Sequence, residues 1–139
     1  MNPPTIKWDE ICKIRIANSD PSFEKHEVIK ILLVMKLQEK YKHQKNYIRI
    51  YTESPITINK KVKRCDVYFE NIKTKEVYIY EIQKDFSKRW LAQITNFYKD
   101  LDKQLSMMFF KTTDLIPIKL NNLSDNIKEL SKQIEELIV

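Results

Sequence analysis

The chain has no glycine in its 139 residues, and that absence constrains both its turns and its chemistry. Glycine enters left-handed backbone conformations without a steric penalty. Every tight turn here must be built from Asn, Asp, Pro, Ser or Lys, and left-handed positions are expected to fall to Asn or Asp. Glycine-rich phosphate loops and dinucleotide-binding turns are excluded, because such backbones approach phosphate only where no Cβ intervenes.

The length suits one domain, taken as 1–139, and a hydrophobic content of 42% supports one core. Charged residues reach 32%, above the usual roughly 25%. The excess is basic, with 25 Lys+Arg against 19 Asp+Glu and a net charge of +6. A cationic face gains affinity for polyanions by releasing their counterions, although many Lys-rich proteins are merely well solvated. Cys12 and Cys65 lie far apart, and His26 and His43 are the only histidines, so no zinc-cluster spacing exists. Met1-Asn2-Pro3-Pro4 opens no apolar signal core, and no run approaches the roughly 18 apolar residues that span a bilayer. The expectation is an intracellular, cytoplasmic protein with free thiols and no membrane partner.

Hydrophobic spacing orders the elements. Residues 5–16 alternate loosely and are expected to form a short helix or an arm. Asp20-Pro21 reads as a helix start, followed by a helix from Ser22 to about Lys42 with Val28, Ile31, Leu32 and Met35 at helical intervals, widened by Ile29, Leu33 and Leu37. Strands are expected at Tyr47–Tyr51, Arg64–Phe69 and Val77–Gln83. Pro55 and Asn59-Lys60-Lys61 mark the first turn, and residues 70–76 form the second, with Asn71 or Lys73 standing in for glycine. A second long helix covers Ser87 to Leu105 through Trp90, Ile94, Phe97 and Leu101. A strand at Met107–Phe110 is extended or replaced by Leu115–Leu120. Leu123, Ile127, Leu130, Ile134 and Leu137 give a final helix, about 123–138, whose seam serves either the core or a homodimer contact. The pattern predicts an α/β fold: a mixed sheet flanked by helices on both faces.

Two carboxylates stand out against this pattern. Asp66 interrupts the apolar strand Cys65–Phe69, and Glu81 interrupts Tyr78–Ile82. An ionised carboxylate buried without a partner costs several kcal/mol, so a cation must compensate, either a basic side chain or a metal. Alternation puts Glu81 and Gln83 on one face of their strand, and a hairpin brings Asp66 to the same face. Two carboxylates with a polar third group form a hard-oxygen site suited to Mg²⁺ or Mn²⁺.

Asp66, fourteen intervening residues, then Glu81-Ile82-Gln83 resembles the signature of the PD-(D/E)xK nuclease superfamily. The order helix, three strands, helix, strand over about residues 20–112 is similar to that superfamily's restriction-endonuclease-like αβββαβ core. Arg64-x-Asp66 with Glu81-x-Gln83 is closer to the Glu-x-Gln version of competence-protein CoiA-like and recombination-type nucleases. The resemblance implies a metal held by Asp66, Glu81 and the Ile82 carbonyl, with Gln83 placing the attacking water. Cys65 stands where the motif has Pro, and Gln83 where it has Lys. Glutamine can hold water by hydrogen bonding but supplies neither charge nor base; Lys84 is one residue beyond and needs a bulge or strand end to turn inward.

The resemblance also points to a Glu on the first helix. Glu27, at the edge of the apolar stripe, is preferred to Glu24, with solvent exposure the alternative for both. Glu53 is a further candidate, against a turn or surface role. A helical Gln-x-x-x-Tyr element is broken here, because Phe97 takes the fourth place after Gln93 and Tyr98 follows. Lys61, Lys63, Arg64, Lys88 and Arg89 are candidate phosphate contacts beside the carboxylates. The expected activity is Mg²⁺-dependent hydrolysis of DNA. An inactive nucleic-acid-binding module and a protein-interaction subunit, with Asp66 and Glu81 paired to Arg64 and Lys84, stand as alternatives.

Overall fold

A computed structural model describes residues 21–139. The expected arm at 5–16, Cys12 and the Asp20 cap lie outside the described residues. Helix α1 spans Pro21–Lys40, and a short 3₁₀ turn at Lys42–Gln44 leads into three antiparallel strands: β1 (Ile48–Ile58), β2 (Lys61–Asn71) and β3 (Glu76–Gln83). Helix α2 (Lys88–Met107) crosses to β4 (Thr112–Lys119), which lies parallel to β3. After a 3₁₀ turn at Leu120–Asn122, helix α3 (Ile127–Leu137) completes the chain. The sheet order is β1-β2-β3-β4. No described helix is long and apolar enough to cross a membrane.

Two cores sandwich the sheet. On one face Ile29, Leu33 and Leu37 of α1 join Leu130 and Ile134 of α3 against Val67, Phe69, Tyr80, Ile82 and Ile118. The apolar seam of the last helix is thus used within the chain's own core. On the other face Ile94, Tyr98, Leu101 and Leu105 of α2 cover Ile58, Cys65, Val77 and Ile79. Ile31 and Met35, expected on the inner stripe of α1, are exposed. In α2 the deeply buried row runs through Tyr98, with Phe97 only partly covered.

Strand alternation is interrupted at one level. Ile48 and Ile50 lean on the α1/α3 core, whereas Ile56 and Ile58 belong to the α2 core. In β2, Val67 and Phe69 face the first core and Cys65 the second. Strict two-residue periodicity would keep each set together. Both switches occur where the β1–β2 pairing omits Glu53 and Asp66, and Glu53 carries a φ of 51°. A left-handed residue there reverses the alternation and brings the inner residues of the outer hairpin onto α2.

Several expected boundaries move. Pro55 lies within β1 and not at a turn; β1 is an edge strand, where a missing N–H is tolerated. Met107–Phe110 is not a strand, because α2 runs to Met107 and turns at Phe109, with Met107 and Phe109 82% and 81% exposed. The β2–β3 loop uses Asn71 through its side chain, which accepts the N–H groups of Lys73 and Thr74, while Lys75 takes the left-handed position. Left-handed backbone therefore falls to Glu53, Lys60, Lys75 and Phe109 as well as Asn59.

Asn59 and Lys60 form the two-residue β1–β2 turn, both at positive φ, the geometry that favours Asn-Gly. Lys60→Gly removes the Cβ clash and is expected to raise stability by about 1 kcal/mol, read as a higher midpoint in urea at unchanged slope. An unchanged or lowered midpoint would show that the turn is unstrained.

Candidate active site

Strands β2 and β3 pair from Asn71↔Glu76 to Val67↔Tyr80 and then part. The next step would set Asp66 against Glu81. Instead the Ile82 N–H donates to a carboxylate oxygen of Asp66 at 2.7 Å. The Asp66 side chain satisfies an amide that the open ladder leaves without a strand partner. Glu81 is 5% exposed, and the hydroxyl of Tyr98 on α2 donates to it at 2.5 Å. Its other oxygen has the Lys63 ammonium 3.8 Å away. The two carboxyl groups line one cavity, and the charge of Asp66 acts on Glu81.

The sheet edge is tied to this pair by a row of alternating charges. His26 on α1 places Nε2 3.2 Å from Asp66 and Nδ1 3.3 Å from Glu27. Lys30 bridges Glu27 at 2.7 Å and Glu53 at 3.0 Å. Burial alone would lower the His26 pKa, but the Asp66 hydrogen bond and the charges of Asp66 and Glu27 raise it overall, favouring an imidazolium with both nitrogens facing carboxylates. For Lys30 too, burial is outweighed, here by its two glutamates.

Burial, first, and then the Asp66 charge push the Glu81 carboxyl up to about 7, against the opposing pull of the Tyr98 hydroxyl and Lys63. The phenol of Tyr98 rises far above its ordinary range through burial and then the Glu81 charge, so it stays a donor. Burial pushes the Cys65 thiol, 3.2 Å from the Tyr98 hydroxyl, up to about 12. A thiol so held is no nucleophile at neutral pH.

The carboxylates open onto a cavity of about 400 Å³ whose wall also includes His26, Lys63, Arg64, Gln83 and Lys84. Gln83 is half-buried there, and Lys84 lies just past the end of β3, where the strand no longer constrains its side chain. Lys61 belongs to a neighbouring cavity. Lys88 and Arg89 stand exposed on the first turn of α2 and are not among the lining side chains. Glu27 reaches the site only through His26. Glu24 is buried, and one of its oxygens meets no hydrogen-bond donor among the described residues.

Among the described residues no three His, Cys, Asp or Glu side chains close around one point. A closed zinc site is therefore not formed by them. Two carboxylates lining an open cavity are instead the kind of oxygen donors that suit Mg²⁺ or Mn²⁺, cations that keep water and phosphate in their remaining positions.

His26 and Tyr98 are the functional candidates that sequence reasoning missed. Tyr98 falls at helical spacing with Ile94, Leu101 and Leu105, and a phenol in so apolar a row needs a partner. That demand was the available signal. His26 had none, since its role depends on the packing of α1 beside the middle of β2. No known protein family, curated protein or solved structure matches the chain.

Because the folded state raises the Glu81 pKa, the stability this group contributes is complete below the ordinary value of 4.5 and is lost as pH rises through about 7. Without divalent cations, Glu81→Gln should melt above wild type at pH 8, by on the order of 3 kcal/mol. The gap should close near pH 5. Melting curves that differ by the same amount at both pH values would contradict the assignment.

Proposed function

We propose that the protein is a metal-dependent nuclease that hydrolyses DNA phosphodiester bonds at Asp66 and Glu81 with Mg²⁺ or Mn²⁺. The carrying observation is that these carboxyl groups line one cavity where β2 and β3 part, one held by a strand amide and the other by a buried phenol. The antiparallel β1-β2-β3 meander with β4 parallel to β3, and helices on both faces, is in keeping with a restriction-endonuclease-like core of the PD-(D/E)xK type.

Asp66, Glu81 and the Ile82 carbonyl are the residues that would hold the cation. When bound, such an ion supplies Lewis-acid polarisation of the phosphate and a water of lowered pKa. The protein supplies the rest. The Ile82 amide and His26 fix the Asp66 carboxylate, and Tyr98 fixes Glu81. Gln83 holds the attacking water by hydrogen bonding. Lys63, Arg64 and Lys84 in the cavity wall offset charge developing on the phosphate.

The Gln83 position favours a second reading, a nuclease-like module that binds nucleic acid without cutting. An interaction subunit is less well supported, because Asp66 and Glu81 meet His26, Tyr98 and Lys63 and not Arg64 and Lys84.

With Mn²⁺ present, linear DNA should be cleaved by the wild-type chain, and Asp66→Ala or Glu81→Ala should reduce cleavage to background with far-UV circular dichroism unchanged. Salt-dependent binding without cleavage at any pH would select the binding module, and retained cleavage in either variant would remove the site. Tyr98→Phe provides a finer test. The phenol stabilises the Glu81 anion, so the rise of cleavage with pH should move to higher pH; an unmoved profile would contradict that role.

A further inference from the structure

We infer that the cavity between the β1–β2 hairpin tip and α2 seats an unpaired nucleobase of the strand whose phosphate lies at Asp66 and Glu81. The inference rests on the nuclease reading and specifies its substrate as single-stranded or locally unpaired nucleic acid.

This cavity, about 530 Å³, shares Lys63 and Trp90 with the carboxylate cavity, so the two adjoin at these side chains. Its walls combine three chemistries. Trp90 and Phe97 supply aromatic surface, both partly buried. The Trp90 ring already stacks on Phe86, with centroids 5.2 Å apart and planes 14° from parallel, and the Lys119 ammonium lies 5.3 Å from the Phe86 centroid. A rigid column of this kind is a platform on which a base stacks irrespective of its identity.

Asn59, Gln93 and Asn96 bring amide groups into the same wall. Each offers donors and an acceptor, as the edge of an unpaired base requires. Lys61 and Lys63 line the hairpin side, where they can follow the phosphates. Asp100 is the one acid among the described residues of the wall, and a carboxylate accepts from the N–H groups on the edge of an unpaired base, the ring N3–H of thymine included. Amides beside aromatic rings and lysines form a nucleotide-binding set. A base within a duplex cannot enter such a pocket without leaving its stack, so the geometry favours strands whose bases are already unpaired.

The test is binding of a fluorescent oligothymidylate to the full chain in EDTA, where no cleavage occurs. A single base-less nucleotide is moved through the strand position by position. At one position, loss of the base should weaken binding on the order of tenfold. Trp90→Ala should weaken the intact strand by a similar factor and leave the strand that is base-less at that position unchanged. Gln93→Ala, at an exposed position of α2 and so safe for folding, should weaken the intact strand less, and a blunt duplex should bind less tightly than the single strand.

The inference is overturned if no position responds to base removal, if duplex binds as well as single strand, or if both variants bind the intact strand as wild type does. Base-dependent binding without Mn²⁺-dependent cleavage would leave the pocket in place and refute the catalytic reading. Cleavage without base dependence would refute the pocket alone.

Discussion

The hydrogen bond from the Ile82 amide to the Asp66 carboxylate, at 2.7 Å, is the contact on which the rest of the site depends. It lies where β2 and β3 stop pairing and leave room for a cavity. An open ladder leaves strand amides without partners, and an unmet buried amide costs about as much as a lost hydrogen bond. A carboxylate that fills this role cannot turn away without exposing that cost. The Ile82 side chain is meanwhile locked in the core between α1, α3 and the sheet. The position of Asp66 is thereby coupled to one core. Through Tyr98 on α2, the position of Glu81 is coupled to the other.

This arrangement works against stability. Two acids are brought together, one of them nearly excluded from water, and Glu53 holds a left-handed conformation at the same level of the sheet. Strain and like-charge proximity of this kind collect where a ligand is expected to relieve them. His26, Lys63 and Lys30 relieve part of the charge from the protein side. Burial, foremost, and then the Asp66 charge still hold the Glu81 carboxyl above its ordinary range. The proposed divalent cation would add the remaining positive charge in place of the proton on Glu81.

The polar interruptions of apolar strands were legible in the sequence because burying a lone carboxylate is so costly. Asp66 and Glu81, the hairpin joining them, and the order of helices and strands from α1 to β4 follow from that cost and from hydrophobic spacing. The reversal of alternation at Glu53 left no compositional trace, since glutamate is not a residue that favours positive φ. Without that reversal the full length of β1 and the place of Pro55 within it cannot be deduced. Met107–Phe110 reads as a strand because four apolar residues in sequence carry no period, yet Met107, Met108 and Phe109 project from a helix end into solvent and Phe110 packs against the α2 core. His26 was illegible for a different reason: its partner is forty residues away, and only the packing of α1 brings them together.

We propose that residues 66 and 81 share a site for a hard divalent cation. Electron paramagnetic resonance of Mn²⁺ titrated into the protein at pH 8 tests it without reference to any substrate. The wild-type chain should deplete the free-ion signal, and Asp66→Asn should abolish this depletion. A wild-type chain that leaves the signal untouched, or a variant that depletes it equally, would contradict the account.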